Sequence, residues 1–95
     1  MKQEFTMELS SDNNFSVLNR IINILNRRRV RIKKMTAYED ESDFRRGGVA
    51  MLLYTTGDMV EKVKVQLEKL IEVDAVSYSE GDRYLELVDR VNVNA

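Results

Sequence analysis

A chain of 95 residues with 43% apolar and 33% charged content and a net charge of −1 has the make-up of one folded domain, which excludes a disordered chain and a general polyanion binder. Zero Cys excludes a disulfide framework and a thiolate metal site, and zero His removes the commonest metal ligand and neutral-pH acid–base group. No run of about 18 apolar residues reads as a membrane span, MKQEFTMELS lacks the pattern of a signal peptide, and a cytoplasmic location is expected.

Residues Lys2–Ser10 alternate, with Phe5, Met7 and Leu9 on one face and Thr6, Glu8 and Ser10 on the other, which predicts a strand with one buried face. Ser11-Asp12-Asn13-Asn14 follows as a polar loop, and Asn13 or Asn14 is placed to cap a helix over Phe15–Arg28. Leu18, Ile21, Ile22 and Leu25 recur at the helical period, with Val17 and Ile24 widening the stripe. After Arg28 the period falls to two. Val30 and Ile32 alternate with Arg29, Arg31 and Lys33, predicting a basic strand over Val30–Tyr38 whose Arg31 and Lys33 point away from the helices. The acidic run Glu39-Asp40-Glu41-Ser42-Asp43 reads as a hairpin loop. A third strand over Phe44–Thr55 is apolar on both faces, Val49, Met51 and Leu53 alternating with Ala50, Leu52 and Tyr54, the mark of a central strand or of a face covered by a partner. Gly47-Gly48 marks a bulge or the start of regular pairing. Gly57-Asp58 opens a second helix, with Asp58 as N-cap, Glu61 three residues on, and a stripe of Val60, Val63, Leu67 and Leu70. Ala75–Ser79 is a fourth strand and Gly81-Asp82 a turn. Arg83–Val91 is a further short extended segment or a docked tail, and 91–95 a frayed end.

The order βαββαβ, with one apolar stripe per helix, predicts an α+β, ferredoxin-like fold: a four-stranded antiparallel sheet with both helices on one face and right-handed crossovers. It divides the chain into a domain over 1–80 and a C-terminal tail over 81–95, read as a short extra strand or a partly disordered end. The basic run Arg27–Lys34 and the Arg45-Arg46-Gly47-Gly48 opening of the third strand invite an RNA-recognition reading. The sheet positions that would stack bases carry Val, Ala, Met and Leu, so no nucleic acid is expected. The basic residues then line an exposed strand edge or meet an acidic protein surface. The acidic run has neither the spacing nor the glycine of a calcium loop, so no metal site is expected. Without His, Cys or a phosphate-cradling glycine loop, no catalytic residue is expected on this chain.

Gln66-Leu67-Glu68-Lys69-Leu70-Ile71-Glu72-Val73-Asp74-Ala75-Val76 resembles the QLxKLxxV signature of acetolactate synthase small subunits, with Leu67, Leu70 and Ile71 burying the helix end and Val73 turning back into the sheet. Asn14-Phe15-Ser16-Val17-Leu18-Asn19-Arg20-Ile21 is similar to that family's loop and first helix, and Arg83–Val91 to the strand that leads longer members into a second domain. The resemblance covers residues 5–80, implies an ACT domain, and is greatest to the short, single-domain small subunits. It implies an amino-acid effector between two copies, its carboxylate held by backbone N–H groups at the start of the first helix. On this chain that site comprises Asn13, Asn14, Phe15, Ser16, Val17, Leu18, Arg31 and Ile32. The family has Gly where this chain has Ser16, and Gly–aromatic–Asn where it has Arg29-Val30-Arg31. Ser16 narrows the approach, and Arg31 offers no acceptor for an ammonium, so weak or absent valine binding is expected.

The expected function is therefore that of a non-catalytic regulatory subunit of acetolactate synthase (acetohydroxyacid synthase), activating a catalytic subunit in branched-chain amino-acid biosynthesis with weak or no valine feedback. The resemblance implies thiamine diphosphate, Mg²⁺ and FAD on that catalytic partner and no cofactor on this chain. Arg27, Arg28, Arg31 and Lys33 are expected to dock the partner, and a homodimer, with sheet edges or open sheet faces meeting, is expected because a two-faced apolar strand needs a second cover. The alternative is a free-standing ACT-type sensor that binds a small ligand, such as a branched-chain amino acid, and regulates another partner.

Overall fold

Phe5, Met7 and Leu9 are buried along one face of the first strand, β1 (Gln3–Asp12), as their alternation demands. The computed structural model describes residues 1–92 of the chain. Asn14, extended at φ −152° and ψ 161°, caps α1 (Phe15–Arg27), its Oδ1 accepting from the Val17 N–H at 3.0 Å. Val17, Ile21, Ile24 and Leu25 are the buried residues of α1, so the stripe is centred nearer Ile24 than the sequence placed it, with Leu18 and Ile22 half-buried at its margins. The helix ends in a Schellman turn: Arg29 N–H donates to Asn26 O and Val30 N–H to Leu25 O, each at 3.0 Å. Arg29 occupies the left-handed position at φ 55°, where a glycine is usual, and the buried Val30 follows it.

The strands β2 (Arg31–Glu39), β3 (Arg46–Thr55) and β4 (Val73–Glu80) complete one antiparallel sheet in the order β2-β3-β1-β4. This is the expected ferredoxin-like fold, with α1 and α2 (Gly57–Glu68) on one face. The bulge considered at Gly47-Gly48 lies in β2 instead, where the register shifts between Ile32 and Lys34 while both glycines pair regularly. The extra residue turns Lys34 to the face of Leu52 and leaves Met35 opposite Met51 in the core. The expected cap Asp58 sits inside the first turn of α2. Thr56 is the cap, extended at φ −88° and ψ 159°, its Oγ1 accepting from Met59 N–H at 3.2 Å. α2 ends at Glu68, and a turn held by Leu70 N–H to Leu67 O (3.1 Å) and Val73 N–H to Leu70 O (3.1 Å) rotates Ile71 outward. Ile71, expected to bury the helix end, is almost fully exposed.

Residues expected as an extended segment or docked tail form a helix, α3 (Tyr84–Asn92), on the opposite sheet face. Gly81, at φ 88°, turns the chain, and the Thr6 hydroxyl both donates to Gly81 O (2.8 Å) and accepts from Arg83 N–H (2.7 Å). Tyr84, Leu87 and Val88 then cover Ala50 and Leu52, the second apolar face of β3. The chain thus supplies the cover for which a second copy was expected. Tyr84 bonds Thr36 through its hydroxyl, the Lys34 ammonium lies 5.7 Å from its ring centroid, and Arg90 pairs with Glu8 at 3.5 Å. Of the frayed end expected over 91–95, residues 93–95 lie outside the described residues.

Candidate functional site

At the end of the sheet where β1, β2 and α2 finish and α1, β3 and β4 begin, three loops are stitched together. Asn13 N–H donates to Arg45 O (2.9 Å), its side-chain amide to Phe44 O (2.9 Å) and Glu39 Oε2 (3.2 Å), and Asp12 N–H to Glu72 O (2.9 Å). Arg46 adds ion pairs to Asp12 on β1 and Asp74 on β4. Gly47 permits the close approach, since a Cβ there would run into Tyr38 O and touch the Asn13 side chain. A Cβ on Gly48 would collide with the Tyr38 phenol, which folds over that position.

Between α1 and the β2–β3 hairpin lies a cleft of about 540 Å³. Its apolar wall is Phe15, Val17, Leu18, Ile21, Ala37 and Val49, and its polar rim includes Asn13, Asn14 and Glu39. Asn14 satisfies the Val17 N–H, while the N–H groups of Phe15 and Ser16 precede any intrahelical acceptor and carry the positive end of the helix dipole. Of these, Phe15 lines the cleft and offers it a donor suited to a carboxylate, Glu39 supplies a carboxylate suited to a cation, and the apolar wall lies between them. Burial chiefly, then the Glu8 charge, pushes the Tyr38 phenol above its ordinary range. In the hairpin loop, Ser42 N–H and hydroxyl hold Asp40 below the usual carboxylate range, and the Arg45 side chain and N–H do the same for Asp43.

Of the expected effector residues, Asn13, Asn14, Phe15, Val17 and Leu18 line this cleft, whereas Ser16 is exposed outside its lining. Arg31 and Ile32 lie at the other end of β2, opposite Tyr54 and Leu53, roughly 25 Å away at about 3.3 Å per residue. The hairpin residues Ala37, Tyr38, Glu39, Gly47 and Gly48 were missed. Their signal was a glycine pair within a strand, which marks close approach as well as bulges. The basic residues gather at the far end: Arg27 is exposed in the last turn of α1, Arg28 Nε donates to Gln66 Oε1 (2.9 Å), Arg31 lies 6.0 Å from the Tyr54 ring centroid, and Lys33 pairs with Glu4 at 2.6 Å. Among the described residues no group of His, Cys, Asp and Glu is arranged to hold a metal ion, and no helix is long and apolar enough to cross a membrane.

A family profile described as ACT domain matches residues 13–76. The search of curated proteins returned no match. The ACT domain of a GTP pyrophosphokinase from Chlorobium tepidum superposes with a TM-score of 0.71 at 10% identity, covering 83% of this chain and 100% of that one. An acetolactate synthase small subunit from Thermotoga maritima gives 0.70 at 22% identity over 80% of this chain, which spans 47% of that subunit. A homoserine dehydrogenase from Thiobacillus denitrificans gives 0.70 at 20% identity over 84% of this chain and 17% of that enzyme.

Proposed function

The chain belongs to the ACT domain family, and from that premise we propose that it is a non-catalytic regulatory subunit of acetolactate synthase, activating a separate catalytic subunit in branched-chain amino-acid biosynthesis. ACT domains are regulatory, small-ligand-binding domains. The observation that carries the finer reading is the Gln66–Val76 segment, which resembles the QLxKLxxV signature of acetolactate synthase small subunits. In it Leu67 and Val73 are buried and Leu70 packs against the core. The likeness to the Thermotoga maritima small subunit agrees with it. The chemistry of the holoenzyme, with thiamine diphosphate, Mg²⁺ and FAD, belongs to the catalytic partner on this reading, and Arg27, Arg28, Arg31 and Lys33 offer that partner an exposed cationic cluster.

Two copies are proposed to pair antiparallel along β2. With α3 covering the open face of β3, the sheet edge is the one of the two expected dimer surfaces that stays open. Basic residues crowd one end of it (Arg27 to Lys34) and acidic residues the other (Glu39 to Asp43), so a two-fold axis near Met35 sets unlike charges against each other. That pairing would carry Arg31 and Ile32 of the partner subunit towards the Tyr38–Glu39 end of the cleft, completing the effector site with Asn13 to Leu18. An arginine arriving there would oppose the ammonium of an amino acid, supporting activation with weak or no valine feedback.

The test is reconstitution. Adding the purified chain to the acetolactate synthase catalytic subunit of the same organism should raise its turnover and co-elute with it, and absence of both effects refutes the reading. The rival, a free-standing sensor, draws on the cleft itself, whose donor, Glu39 and apolar wall match a zwitterion with an apolar side chain. It predicts saturable amino-acid binding without any effect on the synthase.

A further inference from the structure

β4 ends the sheet, bonded to β1 alone. Gly81 N–H donates to Glu4 O at 2.8 Å, and bonding alternates along an antiparallel pair, so Ala75, Ser77 and Ser79 turn their backbone groups to β1. Val76, Tyr78 and Glu80 therefore turn theirs outward, an unbroken row of N–H and C=O groups beyond the register shift at Asp74. Strand edges are ordinarily blunted by lysine, proline or a covering element. Ala75–Ser79 carries no charge and no proline. α3 lies over β3 and β2, which leaves a groove of about 440 Å³ between Ser77 and Ser79 of β4 and Arg83, Leu87 and Arg90 of α3. An added strand would find hydrogen-bond partners at the edge and room for its side chains on the α3 face.

The charge around this edge has one sign. The Tyr78 hydroxyl donates to Glu61 Oε1 at 2.8 Å. That bond first, then desolvation and the Glu61 and Glu80 charges, raises the Tyr78 phenol, so both carboxylates stand near the middle of the edge. Neither pairs with a cation among the described residues. Across the groove the charges cancel, since Arg83 pairs with Glu86 at 3.3 Å and Arg90 with Glu8 at 3.5 Å. β4 of a second copy is a poor occupant. Antiparallel pairing about Ser77 sets Glu80 against Asp74 of the partner subunit, and like charges opposite one another destabilise. β2 of a second copy would make a head-to-tail contact that does not close.

We propose that the β4 edge accepts an extended segment of another protein as a fifth strand, antiparallel to β4, with apolar residues beside Val76 and Tyr78 and a basic residue at each end. Main-chain bonds supply the affinity, and Glu61, Asp74 and Glu80 select the charge. The proposal stands apart from the subunit and β2-dimer readings.

The probe is the end-blocked peptide Lys-Thr-Val-Thr-Val-Thr-Lys, added to the full chain at low salt. Backbone NMR should show saturable shifts and slowed amide exchange at Val76, Tyr78 and Glu80. The same peptide N-methylated at both valines, which removes donors that would face β4, should not bind. Glu-Thr-Val-Thr-Val-Thr-Glu should bind about tenfold more weakly, and Glu61→Gln/Glu80→Gln should narrow that gap. No saturable shift with millimolar basic peptide, equal binding of the N-methylated or acidic peptide, or shifts confined to β2 overturns the proposal. Protection of the Val76, Tyr78 and Glu80 amides that grows with protein concentration, without peptide, assigns the edge to a second copy and overturns it too.

Discussion

Arg29→Gly should stabilise the protein. Arg29 sits at φ 55° in the turn after α1, where its Cβ crowds the backbone. A left-handed non-glycine residue costs about 1–2 kcal/mol, and glycine removes that. Glycine also loses about 0.5–1 kcal/mol more conformational entropy on folding, so the net gain is about 0.5–1 kcal/mol. In a domain of this size that raises Tm by about 2–8 °C. The hydrogen bonds from Arg29 and Val30 N–H to Asn26 and Leu25 are backbone bonds and survive the change, and Arg29 takes part in no ion pair among the described residues. Arg29→Ala keeps the strain while removing the charge and should lie within about 0.5 kcal/mol of the parent. Scanning calorimetry on the three proteins separates backbone from charge. A Gly variant no more stable than the Ala variant would refute the strain argument.

Tyr84→Ala should free α3 from Ala50 and Leu52 at a cost of about 3–5 kcal/mol for a buried aromatic, read as rapid amide exchange confined to residues 81–92; Tyr84→Phe, which loses only the bond to Thr36, should cost about 1 kcal/mol. The Tyr78 phenol is raised above 10.0 because it donates to Glu61 Oε1 at 2.8 Å. Its stabilisation is therefore complete below pH 10.0 and lost as pH rises through the raised value. Absorbance titration at alkaline pH should show Tyr38 and Tyr78 ionising late, with Tyr78→Phe deleting one late step; ionisation of every phenol at the ordinary value contradicts this. Calorimetry with valine should show no saturable binding below millimolar concentration, and micromolar binding would remove the basis for weak feedback. For the β2 edge, Arg31→Glu/Lys33→Glu and Glu39→Lys/Glu41→Lys proteins should each be monomeric alone and pair when mixed, while dimers of either protein alone would exclude that edge.

Elements whose apolar residues keep one period were legible. β1, α1 and α2 follow directly from Phe5-Met7-Leu9, Ile21-Ile24-Leu25 and Val60-Val63-Leu67. The cap of α2 was not, because Thr56 and Asp58 are both good capping residues and only the extended backbone at Thr56 decides between them. The docked tail was read without its helical form, although Tyr84, Leu87 and Val88 have helical spacing. The alternation of Leu85 and Leu87 obscured it, and Leu85 is exposed. The bulge at Lys33 has no local signature; it follows from β2 having to present Met35 to the core and Lys34 to Tyr84. The helix side of the cleft was readable from the loop and its cap. The hairpin side was not, because it depends on which end of β2 the sheet brings alongside α1.

The sheet order also sets a timetable for synthesis and folding. β1 lies in the middle of the sheet, between β3 and β4, yet it is made before the other three strands. The β2–β3 hairpin closes a short loop and can form at once. By contrast, the Thr6 bond to Gly81 joins positions 75 residues apart. Until β4 emerges, one edge of the most apolar part of the sheet has nothing to pair with, and that interval is when the nascent chain is most exposed to misassociation. Slow translation through residues 57–80 would lengthen it, and a partner waiting at the far edge would not.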